Sequence, residues 1–258
     1  MSQLNSNSTC RIGVLLHPTA LSGSPVCGTF GAPSRSWLKT LSKHGIGLWQ
    51  FLPLSPPDST GSPYSSPSGF ALNPWFLDVN DLVAEGFLDG KIVDGLPGAF
   101  ERKTALVDFS LAEIRSQKIG QLLRKNWEIQ GDERHIQFNN WCSRQFWLED
   151  HVEFMELRRQ YDQMPWWEWP EEFALRNQEA LKKWRLKFKN TLLEHRLLQW
   201  HLDRQWQSLR DLASELGILL FGDLPFYVSR DSSDVWSNID LFSISNKGDL
   251  EFQSGVPP

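Results

Sequence analysis

The chain has 258 residues, 40% of them hydrophobic, which is enough for one large domain or two ordinary ones around a sizeable core. Its 26 Lys and Arg are outnumbered by 31 Asp and Glu, a formal net charge of -5 that gives no electrostatic basis for a nucleic-acid partner, whereas a neutral glycan is compatible. Residues 1–10 lack the basic start and apolar run of a secretory signal, and no apolar stretch reaches membrane length, so a cytoplasmic protein without membrane contact is expected.

Residues 13–17 (GVLLH) and 47–54 (GLWQFLPL) are short apolar runs bounded by breakers, the pattern of strands buried on both faces. Between them residues 34–44 (SRSWLKTLSKH) place Trp37, Leu38 and Leu41 at helical spacing, with Gly45 as a stop. Strand, helix, strand is a candidate right-handed parallel unit. Residues 55–73 (SPPDSTGSPYSSPSGFALN) are dense in turn formers and too long for an ordinary connection, while Tyr64 and Phe70 argue for an ordered binding loop.

From residue 111 to 216 the chain turns charged, Gly-poor and periodic at three to four residues, which predicts a helical insertion. Trp141, Phe146, Trp147, Val152, Phe154 and Met155 form one expected apolar face, and Leu192, Leu193, Leu197, Leu198, Trp200 and Leu202 another. Pro165 and Pro170 bracket a break at MPWWEWP. A helix over 207–216 then leads into a third buried strand, 218–221. The expected organisation is therefore 1–78 for two strands and a substrate loop, 79–206 for the helical insertion, and 207–258 for the third strand and its following loop.

Asp223 stands where the third apolar run ends, the position at which active sites collect in a parallel barrel. Asp231 and Asp234 read as parts of a helix start, with Asp231 or Ser232 as cap, and Glu149 and Asp150 as solvated helix charges. His17, at a strand end, could touch a ligand. The six His show no ligand spacing, and Cys10, Cys27 and Cys142 show no paired spacing, so neither a metal site nor a disulfide framework is expected. The 13 Trp are expected mainly in packing, although indole faces also suit sugar rings.

Residues 13–21 (GVLLHPTAL), 49–56 (WQFLPLSP), 62–66 (SPYSS), Asn73-Pro74, Pro165-Trp166, 222–228 (GDLPFYV), Val235-Trp236 and 255–258 (GVPP) together resemble the amylomaltases, or disproportionating enzymes. The matches follow the family's order and span nearly the whole chain. The resemblance implies an α/β fold, a (β/α)₈ TIM barrel of which this chain carries the first three strands, with helical material inserted between strands 2 and 3. It implies transfer of α-1,4-glucan segments between oligosaccharides by a retaining double displacement, with an Asp nucleophile, a Glu acid/base and no cofactor.

The family's nucleophile motif, like R-I-D-H-F-R-G, and its acid/base motif, like A-E-D-L-G, do not occur here. The resemblance thus places every catalytic carboxylate beyond Pro258 and predicts an inactive chain. What it carries onto this sequence is substrate contact: Tyr64 at the glucan cleft, Asp223 near the donor glucose, and Ser62 beside Tyr64. Asn73 is expected to fix the loop turn. The partner implied is an α-1,4-glucan oligosaccharide; no protein partner is indicated. The competing expectation is a non-catalytic glucan-binding or partner-binding fragment.

Overall fold

The structure is a computed structural model that describes residues 11–98, 106–245, 248–250 and 252. The GVPP match at 255–258 and Cys10 lie outside the described residues. Strands β1 (Gly13–Leu15), β2 (Leu48–Gln50) and β3 (Leu219–Phe221) form one parallel sheet in the order β1-β2-β3. Gly13, Leu48 and Leu219 lie side by side in register, as do Leu15, Gln50 and Phe221. Each strand is shorter than its apolar run. Beyond Phe51, whose N–H still reaches the Phe221 carbonyl, Pro53 has no N–H to continue the ladder.

Successive side chains on a strand point to opposite faces. Val14, Trp49 and Leu220 face the helices, and Trp49 is fully buried there. On the other face Leu15, Leu219 and Phe221 are 55%, 51% and 54% exposed. The expectation of strands buried on both faces is therefore corrected: apolar side chains occupy both faces, but among the described residues only one face is covered.

Helix α1 (Ala32–Lys43) begins behind Gly31 with Pro33 in its first turn and buries Leu38 and Leu41. Gly31 has to be glycine for space, since a Cβ there would lie 2.1 Å from the Asp78 carboxyl carbon. Asp78 in turn caps α2 (Val79–Ala84), accepting from the N–H groups of Asn80 and Asp81, and takes a 2.6 Å bond from the Thr29 hydroxyl.

The insertion comprises α3 (Phe109–Trp127), α4 (Asp132–Cys142), α5 (Leu148–Gln160), the short α6 (Glu171–Ala174) and α7 (Gln178–Glu215). Helices α3, α4, α5 and α6 all pack on α7, which also packs on α1 and β3. The helix expected over 207–216 is the end of α7, so the boundary drawn at 206/207 falls inside one continuous helix that both anchors the insertion and delivers the chain to β3. Its one interruption is at Phe188 (φ -106, ψ 17).

The apolar face expected from Trp141 to Met155 is divided between α4 and α5. Phe146 lies in the turn between them, 79% exposed, its ring meeting Phe70 edge-on at 5.0 Å. A pattern of apolar spacing cannot register a break that changes the phase of the two helices. The MPWWEWP segment does interrupt the helices, forming a single 3-10 turn at Trp166–Glu168. Helix α8 (Ser233–Ser237) follows β3 and packs on α5. No helix among the described residues is long and apolar enough to cross a membrane.

Candidate functional site

The segments following β2 and β3 meet at the carboxyl ends of the strands. One direct link between them is a 2.6 Å hydrogen bond from the Tyr64 hydroxyl to Oδ2 of Asp223. Both residues are exposed, Tyr64 by 44%, and the bond fixes the ring at its hydroxyl tip. The bond to Asp223 holds the phenol above its ordinary pKa, because ionising it would place two negative charges together.

Asp58 shapes the approach to Tyr64. Its Oδ1 accepts from the backbone N–H and hydroxyl of Thr60 and from the N–H of Ser62, while the Asp58 N–H donates to the Ser62 carbonyl. Burial pushes this carboxyl up, but the bonds from Thr60 and Ser62 outweigh it and hold the pKa below the usual value. Gly61 has φ +86, and a Cβ on it would sit 2.4 Å from the Phe109 ring. Only glycine meets both demands. Ser62 precedes the 3-10 turn Pro63–Ser65 that carries Tyr64, and its side chain makes no cap bond there.

Beyond Tyr64 the loop is closed by its own serines and clamped by α8. The Ser66 hydroxyl donates to the Ser68 carbonyl, and Ser68 Oγ accepts from Phe70 and Ala71 N–H. Ser233 donates through N–H and Oγ to the Pro67 carbonyl, and Asp234 Oδ2 accepts from Gly69 N–H at 2.9 Å. Burial raises the Asp234 pKa, opposed by the Gly69 bond. Asn73 Oδ1 accepts from Trp75 N–H, fixing the turn at the loop's end.

Two buried glutamines of α7 hold the far side. Gln199 accepts from Leu72 N–H and donates to Leu72 carbonyl; Gln205 does the same at Asp78. Each amide imitates a strand partner, satisfying backbone groups that burial would otherwise orphan. Sequence reasoning passed over Gln199, Gln205 and Asp58, and read Asp234 as part of a helix start, which it is, without its bond to Gly69. The available signal was two amides six positions apart inside the stripe of Leu197, Leu198, Trp200, Leu202 and Leu209.

The remaining candidates divide. Ser232, not Asp231, caps α8, its Oγ accepting from Val235 N–H. Asp231 instead pairs with Arg158 at 3.2 Å and accepts from Trp166 N–H, tying MPWWEWP to the segment after β3; burial raises its pKa against the Arg158 charge. Glu149 is exposed, as expected of a solvated helix charge, and half-buried Asp150 is partly so; each also pairs with an arginine, Glu149 with Arg196 and Asp150 with Arg176. His17 is half-buried, bonded to Thr19 Oγ1 and Pro53 carbonyl, and burial lowers its pKa. No cluster of three or more His, Cys, Asp or Glu suited to a metal occurs among the described residues.

The comparisons with known proteins agree with one another. The family model for 4-alpha-glucanotransferase matches residues 16–258. The 4-alpha-glucanotransferase of Synechocystis sp. is 34% identical over 251 residues, covering 95% of this chain and 49% of the relative; that of Thermus thermophilus is 33% identical, with 95% and 48% covered. Among solved structures, the amylomaltase from Streptococcus agalactiae in complex with acarbose superposes with a TM-score of 0.86 at 28% identity, over 93% of this chain and 48% of its own. The chain spans about half the length of the curated relatives it matches. Over that span its loops, strands and motifs make it a member of the 4-alpha-glucanotransferase family.

Proposed function

We propose that this chain forms the glucan-contacting side of a 4-α-glucanotransferase cleft, acting on α-1,4-glucan oligosaccharides, and that its sheet is three strands of a (β/α)₈ barrel. Tyr64 is the ring on which a glucose face stacks, Asp223 accepts from a sugar hydroxyl, and Ser62 adds a polar contact beside them. The observation that carries this reading is the Tyr64–Asp223 hydrogen bond, which tethers a partly exposed aromatic residue at the carboxyl ends of parallel strands. That end is where barrel enzymes gather their sites, and an aromatic face with a tethered hydroxyl suits the apolar C–H face and hydroxylated rim of glucose. The related Streptococcus agalactiae amylomaltase, solved with acarbose, supports the substrate class.

Retaining transfer needs a nucleophilic carboxylate and an acid/base carboxylate roughly 5 Å apart across the scissile bond. In this reading both belong to polypeptide outside this chain, which alone binds glucan without cleaving it. The test pairs two assays. In native gels containing amylose the chain is expected to be retarded and Tyr64→Ala to run unretarded, while incubation with maltotriose yields neither glucose nor longer oligomers. Unretarded migration of the unaltered chain would remove the binding claim, and oligomer formation would remove the claim of inactivity.

A further inference from the structure

The first part of α7 carries positive charge that nothing beside it neutralises. Residues 180–193 include Lys182, Lys183, Arg185, Lys187 and Lys189 and no Asp or Glu, in a chain whose formal net charge is -5. The inward side of this stretch is settled: Leu181 and Trp184 are buried, and Arg185 makes a bidentate pair with buried Glu153. Helical spacing turns the rest outward. Lys182, Lys183, Leu186, Lys187 and Lys189 are all exposed, Leu186 by 72%. Every ion pair among the described residues is made by Arg or His, and none by these lysines.

Lysine suits a solvated helix surface, so lysines alone would require no partner. Their arrangement goes further. Lys183 and Lys187 are four positions apart, a spacing at which like charges weaken a helix and a Glu–Lys pair would strengthen it. Glu179, the nearest carboxylate along the helix, stands three and four positions before Lys182 and Lys183 and pairs with neither. Leu186 sits among the lysines, one turn after Lys182 and one turn before Lys189, where hydration gains nothing from an apolar side chain.

We infer that this face of α7 adsorbs to an anionic lipid surface, with the ammonium groups of Lys182, Lys183, Lys187 and Lys189 on headgroup phosphates and Leu186 entering the acyl boundary. The lysines extend over about 10 Å of helix axis, so one phosphate cannot meet them all and a dense array of anions can. Nucleic acid is such an array but offers nothing to Leu186, whereas a bilayer has hydrocarbon directly beneath its phosphates. The chain's negative charge elsewhere is screened over a Debye length of about 10 Å at 0.1 M salt, while the lysines meet the surface directly, so the local face decides the sign of the interaction. Adsorption of one helix face needs no membrane-length apolar stretch, and it does not depend on the glucan reading above.

The experiment sediments the full chain with vesicles of phosphatidylcholine alone and of equal parts phosphatidylcholine and phosphatidylglycerol. Binding to the second only is expected, and it should disappear toward about 1 M salt, where the Debye length falls to about 3 Å. The variant Lys182→Glu, Lys183→Glu should bind at least about tenfold more weakly. Lys39→Glu, Lys43→Glu makes the same change of net charge at exposed positions of α1 and should keep most of the binding. Leu186→Ser should bind severalfold more weakly with an unaltered salt dependence. All five positions are exposed, so circular dichroism of each variant should match the parent. The inference is overturned if neither vesicle binds, if both bind alike, or if the two charge-reversed pairs lose binding equally. It is overturned too if Leu186→Ser binds like the parent, the outcome expected of a face for nucleic acid or another hydrophilic polyanion.

Discussion

The Tyr64 hydroxyl donates to Asp223 Oδ2 at 2.6 Å, joining residues 159 positions apart in the chain. Removing either end frees the same ring. Asp223→Asn retains an acceptor, whereas Asp223→Ala leaves Tyr64 able to rotate. The expected ranking of glucan affinity is parent, then Asp223→Asn, then Asp223→Ala, with the last lower by roughly tenfold, as for the loss of one charge-assisted hydrogen bond. Retardation in amylose gels checks it, and equal mobility of the three would show that Asp223 orients nothing.

Gln199 and Gln205 should be worth more to stability than their exposure to function suggests. Replacing either by Leu leaves a buried N–H and carbonyl, at Leu72 or Asp78, without partners. Each substitution is expected to destabilise by about 1–3 kcal/mol. Urea unfolding followed by tryptophan fluorescence measures this, and a midpoint unchanged in both variants would contradict the account of the loop's anchorage.

Gly61→Ala places a methyl group against the Phe109 ring in a left-handed backbone conformation. The combined strain should destabilise by about 1–3 kcal/mol and weaken glucan binding by shifting the turn that carries Tyr64. The variant Gly61→Ala, Phe109→Ala should recover part of the loss by relieving the clash. Failure to recover any of it would assign the whole effect to the backbone.

Acid should weaken the helical insertion before the sheet. Burial, with His195 adding like-charge repulsion when protonated, lowers the His151 pKa from 6.5 to about 3, and its Nδ1 has no hydrogen-bond partner among the described residues. Between those values the unfolded chain binds a proton that the folded chain does not, so stability falls as pH drops below 6.5 and is fully present above it. Burial alone would raise the Glu156 pKa, but bonds from His195, Arg159 and Gln160 lower it to about 2, adding a loss in the same direction from 4.5 downward. Burial raises the Asp231 and Asp234 pKa values, which opposes this trend only above 3.8. His151→Leu should flatten the stability profile immediately below pH 6.5. An unaltered profile would mean that His151 does not set it.

The sequence made the three strands legible because Gly and Pro bound each apolar run; it made Asp223 a candidate because it stands just past the third run, and Tyr64 one through the resemblance carried by its SPYSS motif. It could not reveal the open face. Leu15, Leu219 and Phe221 are as apolar as Val14, Trp49 and Leu220, so a covered face and an uncovered one read alike. Periodicity also concealed the join at residue 206, where an insertion helix and a crossover helix are one rod, and the turn at Phe146. The loop's supports stayed hidden for a different reason: Asp58, Gln199 and Gln205, and Asp234 beyond its place in a helix start, act on backbone groups, and backbone partners leave no mark in the identity of the residues they hold.

Calorimetric titration of acarbose into the chain, beside Tyr64→Phe and Tyr64→Ala, tests the central claim most directly. The account predicts saturable binding by the parent, weaker binding by Tyr64→Phe, which keeps the ring but loses its tether to Asp223, and none measurable for Tyr64→Ala. Equal binding by all three, or no binding by the parent, would contradict it.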